Sequence, residues 1–109
     1  LMVGNVTGYS DISLKKNIET IKGALSLVNA MRGVYYQNID NNERNIGVVA
    51  QELEEIFPNM VSTEAQMGSE ETIKTVKYSV FVPMIVKAFQ EMYSELQDVK
   101  AELAALKSK

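Results

Sequence analysis

Ser10 and Lys15 stand five residues apart in the stretch Ser10-Asp11-Ile12-Ser13-Leu14-Lys15. A serine paired with a lysine is one of the few ways to raise a nucleophilic alkoxide without histidine. The lysine must first lose its proton. A free lysine holds it to about pH 10.4, so burial or nearby positive charge has to lower that value by several units. Lys16, next in the chain, contributes in that direction. The same letters have a plainer meaning, since Ser-Asp before a helical segment is a common N-cap and Lys15 then a solvated side chain. On spacing alone the plainer meaning takes precedence.

Composition leaves few other routes to chemistry. The 109 residues include no cysteine and no histidine, which removes disulfides, thiol nucleophiles, histidine-based metal sites and histidine-dependent triads. From Gln51 to Glu71 there are six acidic residues and no basic one. Their spread through a helix and a loop gives no convergent ligand set, and a solvated acidic face accounts for them. No metal and no cofactor is expected. A net charge of −3 without a basic, aromatic-interleaved run argues against nucleic acid as a partner. The apolar runs are too short for a membrane span or a signal peptide. The chain begins at Leu1 and reads as a fragment of something longer, with one core at most.

What positions the serine and lysine is dominated by the last third of the chain. Residues 79–107 are expected to form one helix, with Ser79 as N-cap and Pro83 tolerated in the first turn. Ile85, Phe89, Met92, Leu96, Val99, Leu103 and Leu106 alternate at spacings of four and three, the seam of a coiled coil. With Phe89, Leu96 and Leu103 at a, the g and e positions pair Glu95 with Lys100 and Glu102 with Lys107 of a parallel neighbour. Both pairs are opposite in charge. About 29 helical residues span roughly 43 Å, more than an ~80-residue globule can cover, so the helix should project. An amphipathic helix folded back on its own domain is the alternative.

The rest of the chain is read in order. Residues 1–9 form a glycine-containing connector. Leu14, Ile18, Ile21, Leu25 and Val28 are spaced four, three, four and three, predicting a helix over 20–31 with 12–19 as a weaker arm. Residues 34–38 and 46–49 form a hairpin turned by Asp40, Asn41 and Asn42. A short helix over 50–57 is stopped by Pro58, and residues 60–78 form a second hairpin around Gly68. The expected class is α+β: a small helix-and-hairpin core over 10–78 and a coiled-coil helix over 79–109.

Several separated blocks resemble one family. They are Ser10-Asp11-x-x-Leu14-Lys15-x-Asn17-Ile18, Ala24-Leu25-x-x-Val28, Arg32-Gly33-Val34-x-Tyr36, Ile46-Gly47-Val48-Val49-Ala50-Gln51-Glu52-Leu53, Phe57-Pro58 and Val76-x-Tyr78-Ser79. Together they look like the C-terminal intramolecular chaperone and auto-processing domain of bacteriophage endosialidases, tailspikes and tail fibres. Gln37 departs from the pattern, which often has an aromatic there. The resemblance implies a homotrimer that registers three copies of an upstream spike or fibre domain of the same chain and then cuts itself free. It implies Ser10 as nucleophile, Lys15 as base, the Tyr9–Ser10 bond as substrate and Asp11 as a possible orienting residue. It also implies action in the host cytoplasm during virion assembly, with the upstream product in the virion tail and this domain released. A trimerising module without proteolysis remains open beside it. An unrelated coiled-coil adaptor explains the seam but not the other blocks.

Overall fold

The computed structural model describes residues 7–66, 68 and 70–108; most of the expected connector and parts of the second hairpin tip fall outside them. An exposed arm opens the described chain, with a 3-10 turn over Ile12–Leu14. Helix α1 follows at Ala24–Ala30, then strands β1 (Val34–Gln37) and β2 (Arg44–Gly47), helix α2 (Ala50–Ile56), strands β3 (Val61–Ala65) and β4 (Thr72–Val76), and helix α3 (Phe81–Lys107). The α+β class is therefore observed, with two separate antiparallel hairpins.

Each hairpin has a local cause. In β1–β2, Tyr35 lies opposite Ile46 and Gln37 opposite Arg44. Asn42 adopts a left-handed φ of 58°, which asparagine tolerates better than most residues, and Asn41 Oδ1 accepts the Glu43 amide to close the tip. Gly47 leaves room for Tyr36, since a Cβ there would stand 3.2 Å from Tyr36 Cε1. In β3–β4, Val61 lies opposite Val76 and Ala65 opposite Thr72. Helix α2 lies against this second hairpin, and Leu53 and Met60 are buried. Pro58 ends α2 and begins a 3-10 turn that delivers Met60 to the interior.

Helix α1 packs on the first turns of α3. Ala24, Met84 and Ala88 are buried there, with Ile21, Leu25, Leu27, Val28 and Val80 around them. Small residues at 24 and 88 let the two backbones approach. Past this contact α3 projects alone. The radius of gyration is 19.4 Å and the long axis 71 Å, against about 13 Å for a compact chain of this length.

Three expectations need correction. The helix predicted over 20–31 is only Ala24–Ala30. Gly23 has a left-handed φ of 72° at its N-terminus and Asn17 a φ of 53°, so the backbone is broken before the apolar spacing can act as one helix. Leu14 and Ile18 consequently stay exposed. Ser79 is not the N-cap of the last helix. It sits inside a 3-10 turn over Tyr78–Val80 that runs straight into α3, with Val80 at the cap position and no side-chain cap bond. The returning strand of the first hairpin also lies two residues earlier than expected, at Arg44–Gly47.

Candidate active site

The serine and lysine singled out from the sequence meet. Asp11 makes the local geometry: its Oδ1 accepts the Ser13 amide at 2.8 Å, and its carbonyl accepts the Leu14 amide at 3.0 Å. Those bonds wind residues 12–14 into the 3-10 turn, and the Lys15 amide closes on the Ile12 carbonyl at 3.1 Å. The Lys15 side chain is thereby turned back. Its Nζ donates to Ser10 Oγ at 2.6 Å and to the Ser10 carbonyl at 3.1 Å. Hydrogen bonds from Ser13 hold the Asp11 carboxyl below its ordinary range, so it stays ionised and keeps the turn through mild acid.

This arrangement is self-contained and wet. Every residue from Thr7 to Thr20 is exposed, and Tyr9, before the candidate scissile bond, is almost fully so. Within the turn Nζ is the donor and Oγ the acceptor, whereas a general base must receive the serine proton. Among the described residues no hydrogen-bond donor reaches the Tyr9 carbonyl oxygen. The single chain therefore sets the serine and lysine in register without supplying a dry pocket.

The residues expected to form a seam lie on one exposed helix. Ile85, Phe89, Met92, Leu96, Val99, Leu103 and Leu106 all lie on α3 and are all exposed, between 48% and 65%. The buried side of α3 is Met84 and Ala88, so α1 takes the neighbouring face and leaves the seam open.

Three contacts were missed in the sequence. Glu91 of α3 accepts the Ala24 and Leu25 amides at 3.1 and 2.9 Å, capping α1 from a distance of more than sixty residues in the chain. Its carboxyl is held below the usual value, chiefly by the Leu25 amide. A cap supplied by another helix has no local sequence signal. Arg32 forms a two-pronged pair with Glu52, at 2.9 and 2.6 Å, which lowers the Glu52 carboxyl. The signal was present, because Arg32-Gly33 and Gln51-Glu52 belong to two of the resembling blocks. Lys74 pairs with Glu54 at 3.0 Å. Two carboxylates of the acidic stretch are thus engaged with cations, and no cluster of metal-ligating side chains occurs among the described residues. No helix is long and apolar enough to cross a membrane among them.

Fold and site together define a small α+β domain with a serine–lysine turn at its leading edge and a long helix whose apolar stripe is uncovered. Residues 10–62, just under half of the chain, match the family model described as chaperone of endosialidase. That family is named as a peptidase, which supports classing these residues with serine peptidase domains. Similar proteins include the long tail fiber protein Gp37 of Enterobacteria phage K3 and that of phage T2. Each is 30% identical over 105 residues, covering 91% of this chain and 8% of the relative. The corresponding protein of Enterobacteria phage Ox2 is 31% identical over 98 residues, covering 84% of this chain and 38% of the relative. The chain thus spans less than a tenth of the length of the first two.

Proposed function

We propose that this chain is an intramolecular chaperone that joins three copies of an upstream tail spike or fibre along α3, then severs itself before Ser10. The observation that carries this reading is the 2.6 Å contact between Lys15 Nζ and Ser10 Oγ, on a turn that needs no other part of the chain. With the expected boundary at residue 10, the turn lies where the connector would give way to the core. The tail fibre relatives support a fibre upstream. Trimer formation is supported by the uncovered seam and by the opposite charges at Glu95 and Lys100 and at Glu102 and Lys107. A parallel three-stranded nucleus keeps three extended chains local to one another, reducing the cost of registering them.

The chemistry is an acyl transfer followed by hydrolysis. Lys15, once neutral, takes the Ser10 hydroxyl proton. Oγ bonds to the Tyr9 carbonyl carbon, the Tyr9–Ser10 C–N bond breaks, and the amine leaves with a proton. Water then hydrolyses the ester, freeing the Tyr9 carboxylate and the serine hydroxyl. The attack runs either on the chain's own Tyr9 or on a neighbour's. Burial disfavours a charged ammonium, so covering the turn on assembly would make Lys15 competent, and cleavage would wait for the trimer. The processing belongs in the host cytoplasm during assembly, leaving the fibre in the virion tail and this domain released.

The outward-facing turn, with Nζ as donor, favours a second reading: a trimerising chaperone with an inert pair. Intact mass of the chain with its native upstream domain, run beside Ser10→Ala, separates the two. A fragment beginning at Ser10 in the parent and missing in the variant establishes cleavage. Full-length chains in both leave the chaperone alone.

A further inference from the structure

Beside the α1–α3 contact runs an open groove of about 400 Å3, lined mainly by Leu25, Val28, Ile85, Phe89 and Met92. It is the upper end of the seam widened by α1. On the same chain, the arm that carries the serine–lysine turn exposes Ile12, Leu14 and Ile18 at 74%, 66% and 65%. Apolar side chains so displayed on an irregular segment have nothing to pack on in their own chain. Ile21, the residue that ties the arm to the body, packs on the cluster that Leu27 and Val80 also flank, and none of these three lines the groove. Charge agrees with a docked arm: between Asp11 and Glu19, residues 12–18 carry Lys15 and Lys16 and no acidic residue, while residues 91–98 of α3 hold Glu91, Glu95 and Asp98 and no basic residue.

We propose that the groove between α1 and α3 receives Leu14 and Ile18 from the arm of a second copy of this chain, each protomer lending its arm to the next around the three-fold axis. The exchange rests on the trimer reading above and extends it to the processing site. Seating Leu14 places the adjacent Lys15 against a neighbour's apolar wall, removing water from one side of the Ser10 contact. Lys16 then faces the acidic stretch, and Lys15 remains with Ser10. The seam divides accordingly: Leu96, Val99, Leu103 and Leu106 meet neighbouring α3 helices, while Ile85, Phe89 and Met92 are shared with the arm. The contact is heterologous, so it closes only as a ring.

The absence of cysteine makes introduced thiols clean reporters. Ile18→Cys with Phe89→Cys, in the Ser10→Ala background with the native upstream domain attached, is oxidised and run without reductant. Cross-linked trimers are expected, because three head-to-tail disulfides close a ring. Ile18→Cys with Val82→Cys, where residue 82 is exposed but off the groove, should cross-link at least tenfold less. A disulfide-closed monomer would show the arm in its own groove and overturn the exchange, as would a trimer by sedimentation with no Ile18–Phe89 disulfide. A cysteine-free parent that sediments as a monomer overturns the trimer reading itself, and that result is obtained independently. In the cleavable chain, Ile18→Asp should slow release at Ser10 more than tenfold while the trimer persists; release at the parental rate from that trimer also refutes the exchange.

Discussion

Leu96 is the sharpest probe of assembly, because it sits in mid-seam beyond the reach of α1 and keeps 48% of its surface exposed in the single chain. Covering that fraction would remove ~100 Å2 from water, or ~2.5 kcal/mol at ~25 cal/mol per Å2. Alanine retains roughly a third of it, so Leu96→Ala forfeits ~1.5 kcal/mol per chain and ~5 kcal/mol per trimer. Each ~1.4 kcal/mol is a factor of ten, so the trimer dissociation constant rises by about 3.5 decades. That constant is a concentration squared. The concentration at half-dissociation therefore rises as its square root, roughly 50-fold. Alanine is the best helix former, so α3 itself should persist. Sedimentation equilibrium over a wide concentration range measures the shift, with Gln97→Ala as an exposed companion off the seam. A Leu96→Ala midpoint within threefold of the parent would refute an interchain seam at this position.

Three further outcomes follow from the geometry. Met60→Ala empties the side chain most completely buried beneath α2 and should cost ~2–4 kcal/mol in denaturant unfolding; a loss below ~1 kcal/mol would show that the site collapses. Asp11→Ala removes the acceptor that winds the 3-10 turn and should slow cleavage before Ser10 at least tenfold, with Asp11→Asn retaining most of the rate. Equal rates for all three forms would remove Asp11 as a positioning residue. The Leu25 and Ala24 amides hold the Glu91 carboxyl below the ordinary glutamate range; its stabilising effect is complete above the ordinary value and is lost as pH falls through the lower folded one. Glu91→Gln should therefore flatten that acid limb of the thermal stability curve and lower the melting temperature at neutral pH, whereas an unchanged acid limb would show that the α1 cap does not depend on its charge.

The elements legible in the sequence are those whose cause is local. The α3 helix announces itself through seven apolar residues at one period, and both hairpins through turn residues between β-branched and aromatic runs. The helix over 20–31 failed for a local reason as well, since Gly23 and Asn17 adopt left-handed backbone that apolar spacing does not report. Leu14 and Ile18 keep helical spacing without a helix and remain in water. A period marks what must be covered, and it does not say by which backbone. What the sequence hid was long-range: Glu91 capping α1, and Arg32 clasping Glu52 across the first hairpin.

The site divides along the same line. Nucleophile, lysine and the Asp11 bond lie within six residues, and such a turn can be read directly because nothing distant builds it. The proposed catalysis would need burial, and the single chain offers almost none. Only Ala24, Leu53, Met60, Met84 and Ala88 are buried among the described residues, while the whole of the α3 seam and the apolar side chains of the arm face solvent. For about a hundred residues that is a small core. The exposed large apolar side chains include, beside others on the hairpins such as Tyr35, Ile39 and Ile46, those flanking the serine–lysine turn and those on α3. If one event covers both, a lone chain cannot cut early: its lysine stays in water until the neighbours that register the fibre have arrived.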